Sequence, residues 1–136
     1  MLRRLLLAFL LLPGLVNAAD FAWHASASGP TLSQRGSWLR SPPLTPPAKT
    51  HGSIRVVNWR YQLSGPAPSG LQVRLCALQR CAVLEGASGT TRSLANVAAD
   101  EPLRLVFGVM GKGRLPPGLR VVSSEVMVNY LGHGQQ

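Results

Sequence analysis

The chain has 136 residues, with 14 Lys and Arg against 5 Asp and Glu, a formal net charge of +9 and two cysteines. That length holds one domain with a modest core and excludes a two-domain enzyme. Hydrophobic residues make up 46% of the chain and charged residues only 14%, while 14 Gly and 11 Pro interrupt it throughout. The first figure excludes a disordered polypeptide; the others exclude a helical bundle and leave short strands joined by turns.

Residues 1–18 read as a secretory signal peptide. Arg3 and Arg4 form its positive start, residues 5–12 are unbroken apolar, and Pro13-Gly14 ends the run. Val16-Asn17-Ala18 places short side chains before a cleavage point after Ala18. The apolar run is shorter than the roughly 20 residues that span a bilayer. Cleavage would leave residues 19–136, with 12 basic and 5 acidic side chains, a net +7. The expectation is an exported domain, soluble outside the cytoplasm, whose charge suits an acidic protein face, the cell wall or an anionic membrane surface better than nucleic acid.

Period-two alternation dominates the rest. Phe21, Trp23, Ala25 and Ala27 alternate with polar or small neighbours and predict a first strand. Residues 28–51, with Pro42-Pro43 and Pro46-Pro47, predict an extended, exposed loop. Residues 52–63 form the strongest strand, with Val57, Trp59, Tyr61 and Leu63 on one face. Ile54 and Val56 fall on the other face, so this strand is either covered on both sides at its start or bulged. The turn at 65–70 precedes a strand carrying Leu71, Val73, Leu75 and Ala77, and residues 81–84 return. A weak strand is expected around 90–94, a clear one at 103–109, and a final extended stretch at 119–122 and 125–130 before a frayed tail. These seven or eight short strands predict an all-β antiparallel sandwich. The rival is a mixed fold with one or two helical turns in 93–100.

An even cysteine count in an exported chain reads as a disulfide, here Cys76–Cys81 clamping a hairpin. Four intervening residues do not make a thioredoxin-like site, and His24, His51 and His133 are scattered, so neither metal nor cofactor is expected. Five dispersed acids offer no convincing glycosidase pair. Neither Gly86-Ala87-Ser88-Gly89 nor Gly111-Lys112-Gly113 satisfies a nucleophile elbow or a phosphate loop. The chain is therefore expected to bind rather than catalyse. Trp23, Trp38, Trp59, Tyr61 and Tyr130 could stack on a sugar, although alternation makes core packing the better reading of Trp59 and Tyr61. Arg60, Arg74 and Arg80, with Tyr61, are candidate partner contacts. If the strands of Arg60 and Arg74 pair, these side chains would repel on the outer face unless an anion or Glu125 lies between them.

The run Trp59-Arg60-Tyr61-Gln62-Leu63-Ser64-Gly65-Pro66-Ala67-Pro68-Ser69-Gly70-Leu71, then Val73-Arg74-Leu75-Cys76, Arg80-Cys81, Leu84-Glu85-Gly86, Glu101-Pro102-Leu103-Arg104 and Glu125-Val126-Met127-Val128-Asn129-Tyr130, resembles the flagellar protein FlhE family. The resemblance covers nearly all of residues 19–136. It implies a small periplasmic β-sandwich, accessory to flagellar assembly and linked to proton leakage through the export apparatus. It implies contact with an export-gate or basal-body protein and brings no catalytic residues. The remaining alternative is a periplasmic cell-wall or glycan-binding module.

Overall fold

The computed structural model describes residues 19–132. The expected signal peptide and residues 133–136 of the tail lie outside the described residues. Eight strands follow one another: β1 (Ala19–Ala27), β2 (Trp38–Arg40), β3 (Gly52–Leu63), β4 (Leu71–Cys76), β5 (Cys81–Leu84), β6 (Ser88–Thr91), β7 (Arg104–Val109) and β8 (Val121–Gly132). They form two antiparallel sheets of four strands, ordered β1-β8-β3-β6 and β2-β7-β4-β5, and the described residues contain no helix. The expected all-β sandwich is what the chain adopts.

The inward face of each strand is the apolar half of its alternation. Trp23, Val57, Trp59, Tyr61, Val126 and Val128 come from the first sheet; Val73, Leu75, Ala82, Leu84, Leu105 and Phe107 come from the second. The Tyr61 and Phe107 rings meet edge to face across the interior, centroids 5.3 Å apart. Each fully buried side chain of this size contributes about 1.5–3 kcal/mol through removal from water. The doubt about Ile54 and Val56 resolves as a bulge: the β3–β8 register shifts between them. Arg55 becomes the unpaired residue and reaches Asp20 at 3.1 Å, while Ile54 and Val57, three apart, both turn inward.

Residues 28–51 depart from the expected exposed loop. They hold β2, and Leu32, Ser41, Leu44 and Thr50 are buried. The prolines interrupt the alternation, but the residues between them still carry donors: Ser41 N–H bonds to Leu105 O at 2.8 Å, and Leu44 N–H to Leu103 O at 2.7 Å. The segment thus runs as a ribbon along β7. The weak strand lies slightly earlier than expected, at Ser88–Thr91. Residues 93–100 form turns, closed by bonds such as Val97 N–H to Leu94 O, and Asn96 sits at φ 74°, a conformation that stops a right-handed helix. Leu94 and Ala99 are buried there, and Trp23 Nε1–H holds Ala99 O at 3.0 Å. The two final stretches merge into one twelve-residue strand, β8, which includes Leu131 of the expected frayed tail.

Candidate functional site

The outward half of the alternation on β2, β7 and β4 builds a basic trough. Arg40 and Arg74 both lie opposite Val106, one on each side of β7, and Arg104 lies opposite Cys76. Arg104 is therefore a diagonal neighbour of both, and the three form a triangle about Val106. Pro43, Thr45 and Pro102 line one part of the trough, and Ala77 and Leu78 line another; its volume is about 850 Å³. Leu78 and Val83 stand out from this side of the molecule at 83% and 69% exposure, unusual for large apolar side chains.

Trp38 is set flat into this face because its partner in the register is Gly108. A Cβ on Gly108 would lie 2.6 Å from two atoms of the indole, so only glycine admits the ring. The Arg74 guanidinium lies over the indole ring, 4.5 Å from its centroid. Arg104 is held from below by its bond to Ser41 O at 3.1 Å. Among the described residues, the ion pairs are Arg55–Asp20 and His24–Glu125 at 3.6 Å, both on the other sheet. None of the three trough arginines is ion-paired to a described acid.

The residues singled out in the sequence do not share one site. The strands of Arg60 and Arg74 do not pair: β3 lies between β8 and β6, and β4 between β7 and β5. Alternation fixes which face a side chain takes, not which strand is its neighbour. Arg60 lies opposite Glu125 on the first sheet, and Arg74 is on the outer face of the second. Tyr61 does not present its ring to a partner; it is 9% exposed, and burial raises its pKa above the ordinary 10.0. Arg80 is turned back on the chain, 2.7 Å from Ala95 O. Cys76 and Cys81 are bonded directly opposite one another across β4 and β5.

The aromatic platforms imagined for sugar are also mostly internal, since Trp23 and Trp59 are buried along with Tyr61. The trough members missing from the sequence candidates are Arg40 and Arg104. Arg104 falls on the polar half of the alternation at 103–109, but Arg40 sits in a three-residue strand too short to show a period, and nothing local shows that the two segments are adjacent.

The profile of the family described as Flagellar protein FlhE matches residues 29–131. The Flagellar protein FlhE of Escherichia coli K12 is 52% identical over 128 residues, covering 93% of this chain and 98% of that protein. That of Yersinia enterocolitica is 44% identical over 115 residues, 82% of each chain. The solved structure titled Crystal Structure of FLHE superposes with a TM-score of 0.80 at 50% identity, covering 83% of this chain and 98% of that one.

Proposed function

The chain belongs to the flagellar protein FlhE family, and on that premise we propose that it is a periplasmic accessory protein of the bacterial flagellum. In this reading it acts by contact with a protein of the export apparatus or basal body, supporting assembly and limiting proton leak through the export gate. The observation that carries the reading is the 52% identity to an FlhE protein over almost the full length of both chains. Two physical features support it. The Cys76–Cys81 bridge suits an oxidising compartment. A small, rigid sandwich with excess positive charge is suited to docking on an acidic protein face.

Limiting a leak requires only that a stable domain occupy or narrow an opening; its fixed positive charge would also oppose the approach of protons. The test is site-specific photo-crosslinking in cells, with and without the flagellar basal body. Capture of an export-gate or basal-body protein is expected only when the apparatus is present. Cytoplasmic pH should fall in a deletion strain that retains the export gate and hold steady in one that lacks it. Identical acidification in both strains would overturn the proton-leak part of the proposal.

A further inference from the structure

We propose that the trough on the outer face of the β2-β7-β4-β5 sheet binds an extended acidic peptide segment of a partner protein. This rests on the contact reading above and names the surface and the partner chemistry.

Three arginines, Arg40, Arg74 and Arg104, surround Val106 without a described carboxylate paired to any of them. Diagonal neighbours on a sheet are about 7–8 Å apart, and like charges placed so closely oppose one another. Arg40 and Arg74, two strands apart, are separated by about 10 Å at the backbone. An extended peptide repeats its same-side residues about every 7 Å, so two alternate carboxylates along one strand match the diagonal step from Arg104 to Arg40 or from Arg104 to Arg74. Arg forks bind carboxylates through paired, charge-assisted hydrogen bonds.

The geometry disfavours a sugar as the occupant. A neutral sugar offers no charge to the three unpaired arginines, and the Trp38 ring, 39% exposed, already carries the Arg74 guanidinium 4.5 Å from its centroid. An anionic membrane surface is the competing occupant, and the vesicle arm of the test separates it from the peptide.

The test uses the purified, disulfide-intact protein and a fluorescein-labelled ten-residue peptide alternating Glu with Val. Fluorescence anisotropy should detect salt-sensitive binding that is lost when each Glu of the peptide becomes Gln. The double variant Arg40→Gln/Arg74→Gln should bind at least about tenfold more weakly, the scale expected for losing one or more charged hydrogen bonds. Arg104 is left intact because it holds the Ser41 carbonyl. Lys112→Gln, in the loop beyond the far end of β7, should bind like the parent. Equal binding of the Gln peptide, or undiminished binding by the double variant, overturns the proposal. So does tighter association with phosphatidylglycerol vesicles than with the peptide. In cells, continued capture of the same flagellar protein by the double variant would overturn the trough and leave the contact reading standing. Peptide binding without capture of any flagellar protein by the parent would do the reverse.

Discussion

The indole of Trp38 occupies the space that a side chain on Gly108 would need. The relation recurs within the first sheet, where a Cβ on Gly89 would lie 2.5 Å from the Trp59 ring opposite it. In both places a cross-strand aromatic covers a glycine, supplying the packing that the glycine itself lacks. At Trp38 the arrangement also fixes the platform under Arg74.

Gly108→Ala should lift the indole from the sheet. Overpacking of this kind costs about 1–3 kcal/mol. Urea unfolding should show the lower midpoint, and tryptophan emission of the folded protein should shift as the ring becomes more exposed. An unchanged midpoint and spectrum would mean that the sheet yields around the new methyl.

The Cys76–Cys81 bridge closes a short hairpin, whose turn is already tied by Ala77 N–H to Arg80 O at 2.8 Å. Chain entropy therefore assigns the bridge about 2 kcal/mol. Cys76→Ala/Cys81→Ala should lose that amount and become insensitive to reductant, while the parent should fall to the same stability once reduced. Calorimetry of both proteins, with and without reductant, checks this.

Tyr61 provides a pH signature. Desolvation raises its pKa in the folded chain, so the folded state keeps the phenolic proton after the unfolded chain, near 10.0, has released it. The stabilisation is fully present below pH 10 and is lost as pH rises through and beyond that value. Tyr61→Phe should remove this share of the alkaline destabilisation. Denaturation midpoints from pH 8 to 11 should converge less steeply toward zero in the variant than in the parent.

Ser124 lies opposite both Tyr61 and Ala27, and its buried hydroxyl has no hydrogen-bond partner among the described residues. An unpaired buried hydroxyl is a cost to the fold. Ser124→Ala should be neutral or stabilising by up to about 1 kcal/mol. A clear loss of stability in chemical denaturation would show that the hydroxyl has a partner in solution.

Much of the fold was legible because alternation is a local property. Residues 52–63, 71–76 and 81–84 form the expected strands, and even the disturbance at Ile54 and Val56 was visible as a break in period. β2 was hidden because it has only three residues and sits between Gly36 and a proline cluster. The trough was not legible, since Arg40, Arg74 and Arg104 lie on three strands whose adjacency depends on sheet order. The same limitation misplaced Arg60 beside Arg74. No pattern within either strand shows that β8, more than 60 residues further along the chain than Arg60, supplies its neighbour Glu125.

The ribbon of residues 41–44 also guards against self-assembly. Ser41 and Leu44 spend their amide hydrogens on β7, while Pro42 and Pro43 have none to donate outward. A second copy arriving along residues 41–44 finds no free amide hydrogen to pair with, which closes one route to strand-by-strand growth of fibrils.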